Sequence, residues 1–220
     1  MNNKIKVPIF HQPEKSITCS IASLKMIMDY YEDKIPFKEL TESLKEWINS
    51  KEIHIEGVAI YLAKRGYEVN FIHHSPSIVT ENLNNITEKD VEKLKLELKS
   101  IPNEDKFYFR KKKISLGIDY INAGGKLSTK IPTLDLIDNN IKKDIPTIIC
   151  VNLGIWDLNP KATNNHYVVV VGKEKDKYLI NDPRPKLKSP YKKDKDNLLM
   201  SWYRSGAYTL FTKKNLVTKK

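Results

Sequence analysis

The sequence predicts an α+β protein, with an N-terminal helical half packed against a mostly antiparallel C-terminal sheet. Three observations carry this. Apolar residues recur at helical spacing through the first third of the chain, and from about residue 146 the pattern changes to short strand-like runs. Two late runs, HYVVVVG (166–172) and KYLIND (177–182), are separated only by a short charged turn, which marks a hairpin. Helices first and antiparallel strands later is an α+β layout.

The elements follow in order. A first helix runs from about Ser20 to Tyr31, with Ile21, Leu24, Ile27, Met28 and Tyr31 on one face and Thr18 or Ser16 placed to cap it. PFKELTESLKEWI (36–48) repeats the period through Phe37, Leu40, Leu44 and Trp47, with Pro36 tolerated at its opening. EGVAIYLAKRG (56–66) is a third helix, ended by Gly66, and YEVNFI (67–72) alternates as a strand. TEKDVEKLKLELKS (87–100) is a charged amphipathic helix with Thr87 and Asp90 at capping-box positions. Signals are weak from 101 to 132, where KFYFR (106–110) reads as a strand and a helix closes at Gly124–Gly125. TLDLIDNNIKK (133–143) is a helix capped by Thr133. Strands PTIICVN (146–152), HYVVVVG, KYLIND and AYTLFT (207–212) follow, with a short helix NLLMSWYR before the last.

At 220 residues, one domain spanning 1–220 is expected. Plentiful, periodic Ile, Leu, Val, Phe and Tyr exclude disorder. MNNKIKVPIFHQ contains no apolar core of a signal peptide, and no apolar run approaches the roughly 18 residues of a membrane span, so a cytoplasmic protein is expected. Two cysteines make neither a disulfide framework nor a zinc motif, and no cofactor is expected. The net charge of +11 raises the question of nucleic acid, but the lysines are scattered. The tight basic runs are RKKK (110–113) and Lys219–Lys220, with no recognition motif beside them, so a solvated lysine-rich surface is expected and no specific nucleic-acid partner.

The chemistry centres on Cys19. A thiol becomes a nucleophile when it ionises, and a helix N-terminus favours the anion. His166 opens a strand after the loop NPKATNN, so its ring can stand at a sheet end and serve as base. Asp182 ends the next strand, and hairpin parity can set it on the face of His166; a one-residue change in the turn would reverse that. The backbone N–H of Cys19 and the side-chain amide of Gln12 would serve as oxyanion donors. Blander roles are expected elsewhere. Cys150 reads as a buried structural thiol and His11 as a loop surface residue. His54, His73 and His74 read as solvated histidines rather than metal ligands. Asn164 and Asn165 shape the turn before His166, and Trp156 is read equally as a cleft-lining or a core residue.

Four stretches together resemble a known family: VPIFHQPEKSITCSIASLKMIMDYY, IEGVAIYLAKRGYEVNFI, IKKDIPTIICVN and NHYVVVVGKEKDKYLINDP. In that order they are similar to the papain-like cysteine peptidases of the bacteriocin-processing, double-glycine type, as a stand-alone domain. The resemblance implies a papain-like fold, with Cys19 as nucleophile, Gln12 in the oxyanion hole, His166 as base and Asp182, of an Asp-Pro step, as the group that orients it. Ser20 and Glu32 stand where the family usually has glycine, and the Gln12–Cys19 gap is one residue longer than in the exporter-attached peptidases. Residues from about 73 to 132 have no obvious counterpart and read as an insertion, expected to project from the core and border the substrate groove.

The implied function is a cysteine peptidase that hydrolyses peptide bonds through an acyl-enzyme, with a peptide or protein as partner. The same site would equally support an acyltransferase or amidase. A catalytically silent peptide-binding domain and a charge-driven nucleic-acid binder stand as further alternatives.

Overall fold

The computed structural model describes residues 3–48, 54–72, 78 and 86–214. His73 and His74 lie outside the described residues, as does most of 73–85. Eight strands form one sheet. They are β1 (Asn3–Lys4), β2 (Tyr67–Ile72), β3 (Lys126–Ser128), β4 (Thr147–Asn152), β5 (Asn165–Glu174), β6 (Lys177–Asn181), β7 (Tyr191–Asp194) and β8 (Thr209–Lys214). The order is β3-β2-β8-β4-β5-β6-β7, antiparallel except for β2–β3, and β1 pairs with the far end of β5 beyond β4. The sheet is therefore not drawn from the C-terminal half alone: β1 and β2 come from the N-terminal half, and β2 joins it beside β8.

Helices cover both faces. On one lie α1 (Cys19–Tyr30), α2 (Phe37–Ser43), α3 (Ile55–Lys64), α4 (Glu88–Ser100) and α5 (Tyr108–Asn122), whose apolar residues share a core with Val69, Phe71, Ile148, Val169, Val171 and Leu210. On the other, α6 (Leu134–Lys142), α7 (Leu153–Trp156) and α8 (Lys195–Arg204) pack Ile137, Trp156, Leu198 and Trp202 over Ile149, Val151, Val168, Val170 and Ile180. Double coverage explains why β4 and β5 read as unbroken apolar runs rather than alternating ones. It also explains why α1 is buried almost all round, from Ser20 to Met28: it lies between the sheet and the other helices.

Local chemistry sets some boundaries, although neither Thr18 nor Thr133 makes the side-chain cap expected of it. Thr87 accepts from the Asp90 amide while the Asp90 carboxylate accepts from the Thr87 amide, the capping box expected for α4. Gly66 ends α3 at φ 82, a conformation glycine adopts without steric cost. The helix expected over 36–48 breaks after Ser43 into a 3₁₀ turn, Lys45–Trp47. That turn seats the Trp47 ring on Gly57, where a Cβ would lie 2.3 Å from Trp47 Cγ. KFYFR is not a strand: Lys106–Phe107 belong to a 3₁₀ turn (Asp105–Phe107), and Tyr108 opens α5. The helix wins because the apolar residues that follow, Ile114, Leu116, Ile118 and Tyr120, bury against the core. For the same reason the described residues 86–132 of the segment expected to project do not stand off the body. Tyr120 donates to the Val69 carbonyl, and β3 pairs in parallel with β2.

Candidate active site

Cys19 is the first residue of α1, where the first-turn amides have no carbonyl within the helix and the dipole favours an anion. Its half-buried thiol lines the same cleft as the His166 side chain, which is the main influence lowering it. His166 enters from β5, opposite Val151 of β4, and is 5% exposed. Its Nε2 lies 2.9 Å from Asp182 Oδ1. The carboxylate only accepts, so Nε2 carries the proton of that bond and Nδ1 is left to serve the thiol.

Asp182 reaches His166 through a break in strand register. The β5–β6 turn is Lys175–Asp176, with Glu174 paired to Lys177. Continued without interruption, that register would set Asp182 opposite Val169, on the face away from His166. A bulge at Val171 shifts the pairing by one, so that Asn181 meets Val169. Asp182 then falls against Val168, two residues from His166 on the same face. The turn is thus one residue from the placement that parity needed, and the bulge corrects it.

The carboxylate is heavily supported. Oδ1 also accepts from the Arg184 amide at 2.9 Å; Oδ2 accepts from Arg184 Nη2 at 2.9 Å and from the Tyr191 hydroxyl at 2.7 Å. Tyr191 in turn accepts from Trp156 Nε1, and Arg184 reaches Asp157 with Nη1 at 2.6 Å and Nη2 at 3.2 Å. Trp156 is therefore a core residue rather than a wall of the cleft. Arg184 and Tyr191 were not singled out from sequence, and Trp156 was not read as a partner of this network. Arg184, two residues past Asp182, was the readable one; the reach of Tyr191 depends on the loop between β6 and β7.

The electrostatics agree with the geometry. Burial would raise the Cys19 thiol, but the His166 hydrogen bond and charge outweigh it and leave it below its ordinary value. Burial would likewise depress His166, yet Asp182 and Cys19 push it up to about 9. Asp182 is held well below the usual carboxylate range, because His166 and Arg184 override its desolvation. Cys150 contrasts: burial pushes it up to about 12.

Gln12 lines the same cleft. Its backbone N–H donates to the Pro183 carbonyl at 2.8 Å, and its Nε2 donates to the Ser16 carbonyl at 2.9 Å. The N-terminal stretch is thereby tied to the Asp-Pro step, and one amide hydrogen of Gln12 remains for a ligand. His11 is exposed, as expected, and meets the Arg184 carbonyl through Nδ1. The cleft has a volume of about 570 Å³ and is walled by Ile17, Ser20, Leu153, Asn164, Asn165 and Arg184 on the site's own side. Phe109 and Lys113 of α5 and Tyr208 line it as well, so the segment 73–132 borders the groove. His54 corrects its expectation: it is buried at the cleft floor and not solvated, because its amide bonds to the Trp47 carbonyl at the start of α3. Among the described residues no group of three acids, histidines or cysteines is placed to hold a metal.

A helix-borne thiol facing a strand-borne imidazole across a cleft, on a half-helical, half-sheet body, defines the class of papain-like cysteine peptidases. The chain belongs to the Peptidase_C39 like family, whose model matches residues 4–210. Its kind of function is that of a cysteine peptidase, a hydrolase. Three solved structures share the fold. A C39-like peptidase from Bacillus anthracis superposes with a TM-score of 0.57 at 14% identity, with 98% of each chain covered. A double glycine motif protease from an AMS/PCAT transporter, solved with its leader peptide, gives 0.51 at 18% identity, covering 98% of this chain and 99% of its own. The peptidase domain of Streptococcus ComA, a bi-functional ABC transporter involved in quorum sensing, gives 0.51 at 15%, covering 97% and 99%. No curated protein compared with this chain matches it.

Proposed function

We propose that the protein hydrolyses peptide bonds with Cys19 as nucleophile, His166 as acid and base, and Asp182 as the group that orients His166. The observation that supports this is the buried His166–Asp182 bond beside the half-buried Cys19, with the thiol lowered and the imidazole raised. The Cys19 thiolate attacks the carbonyl carbon, and the displaced electron pair goes to oxygen. The oxyanion accepts from the Cys19 N–H and the Gln12 side-chain amide. As the intermediate collapses the C–N bond breaks, and His166 Nδ1 gives its proton to the leaving amine. Water then attacks the thioester, His166 takes its proton, and the C–S bond breaks to release the acid.

The substrate is a peptide or protein that can lie extended across the cleft. The neighbour solved with a leader peptide is a double-glycine protease, and small residues before the cut are the first substrates to try. Two free cysteines suit a reducing compartment, which supports a cytoplasmic protein in this reading. Incubation with a fluorogenic peptide library that includes paired-glycine sequences tests it. Turnover that is present in the wild type and lost in Cys19→Ala supports the proposal; turnover that persists in Cys19→Ala ends it.

A further inference from the structure

The Cys–His–Asp line leaves an arginine unexplained. Arg184 lies between two carboxylates, Asp182 inside and the more exposed Asp157 outside. Its fork spans both: Nε and Nη2 reach Asp182 Oδ2 at 3.1 and 2.9 Å, and Nη1 and Nη2 reach Asp157. Its own amide occupies Asp182 Oδ1 beside His166 Nε2. A planar guanidinium with two opposed partners cannot rotate without breaking one set of bonds, so it holds the carboxylate plane in place. The positive charge also competes with the imidazolium for the same anion.

We infer that Arg184 is a positioning residue of this site: clamped by Asp157, it fixes Asp182 toward His166 and, as a charge, sets the pH range over which the thiolate–imidazolium pair exists. The inference rests on the active-site reading above. The other charged or titratable groups facing the thiolate–imidazolium pair and Asp182 are Cys150 from β4, Tyr167 from β5, Tyr191 and Lys193 from β7, and His11 at the Arg184 carbonyl. None of them bridges Asp182 to a second carboxylate as Arg184 does.

Removing a cation beside the pair disfavours the thiolate and favours the imidazolium, so both ionisations move to higher pH. Removing the outer anion moves both the other way. The test is the rate of Cys19 carboxamidomethylation by iodoacetamide against pH, read by mass spectrometry in the full-length chain, which needs no substrate. Arg184→Ala should raise both inflections by roughly half a pH unit or more, and Asp157→Asn should lower them. Arg184→Lys, which keeps the charge and loses the fork, should fall between wild type and Arg184→Ala. Should Arg184→Ala fail to fold, Arg184→Lys and Asp157→Asn carry the test, because a purely structural clamp would not give displacements of opposite sign. Unchanged inflections in these variants, or displacements of one sign only, overturn the inference while a depressed wild-type inflection leaves the active site standing. A wild-type profile of an ordinary thiol overturns both.

Discussion

At the scale of single residues, the site separates groups that move atoms from groups that hold them. Cys19→Ala removes the nucleophile and His166→Ala the proton carrier, so each should abolish peptide turnover while thermal unfolding stays cooperative. Asp182→Asn should cost less, on the order of a hundredfold or more, because the side chain orients the imidazole and passes no proton itself. Relative turnover of the three variants checks the order. The pH dependence follows from the same charges. The pair is productive where Cys19 is ionised and His166 protonated, so activity should fall in acid as the thiolate reprotonates. It should fall again as pH rises through about 9, where the imidazolium gives up its proton. Stability is linked to the same shift. His166 is raised on folding, so its contribution is fully present below its unfolded value of about 6.5 and disappears as pH rises through about 9. Asp182→Asn should flatten that part of the stability curve, measured as Tm against pH; an unchanged slope would count against the Asp182–His166 bond. Cys150, deeply buried and pushed up to about 12, should remain unmodified by iodoacetamide under conditions that consume Cys19.

At the scale of elements, the site depends on two local events: the start of α1 at Cys19 and the bulge at Val171. The first was legible in sequence, because a helical period beginning at a cysteine after Thr18 needs no tertiary information. The candidates Cys19, His166 and Asp182 were read for a similar reason, each standing where a periodic pattern starts or stops, whereas Gln12 was read from its place before Cys19 and from the family resemblance. The bulge was not. HYVVVVG offers four equivalent valines, and nothing in their chemistry says which one is extra; the choice is made by pairing with β1, where the Ile5 N–H donates to the Val171 carbonyl. The same limit explains KFYFR, whose aromatic, strand-like composition was overruled by the apolar residues downstream of it. β3 escaped notice because a strand of three residues has too short a period to read. Deleting Val171 removes the extra residue, so pairing runs unbroken from Glu174–Lys177 to Val169–Asn181 and Asp182 stays against Val168, on the face of His166. The expected result is a folded protein, less stable for the loss of a buried valine, whose Cys19 keeps the wild-type pH dependence of alkylation. An alkylation profile of an ordinary thiol would refute the register that sets Asp182 against Val168.

At the scale of the whole molecule, α5 joins the core to the cleft. Its inner face carries Ile114, Ile118 and Tyr120 into the main hydrophobic core, while Phe109 and Lys113, one turn apart, border the groove that holds Cys19. The two groove residues differ in kind. Lys113 is paired with the buried Glu56 and lies over the Tyr208 ring, so it ties α5 to α3 and to the end of the sheet. Lys113→Glu would set two carboxylates together in a largely desolvated place and should cost about 3–5 kcal/mol, visible as a large fall in Tm. Charge reversal there therefore reports on stability before it reports on substrate capture, and because the pair is shielded, added salt should restore little of the loss. Phe109 is 65% exposed, so its removal should change stability by no more than about 0.5 kcal/mol. An aromatic ring left in water at the rim of a peptide-sized cleft is available to a substrate side chain. Phe109→Ala should accordingly raise KM for library peptides with bulky apolar residues near the cut while kcat stays close to wild type, the signature of binding lost equally from ground and transition states. Unchanged KM across the library, with Tm also unchanged, would show that α5 closes the cleft without touching what enters it.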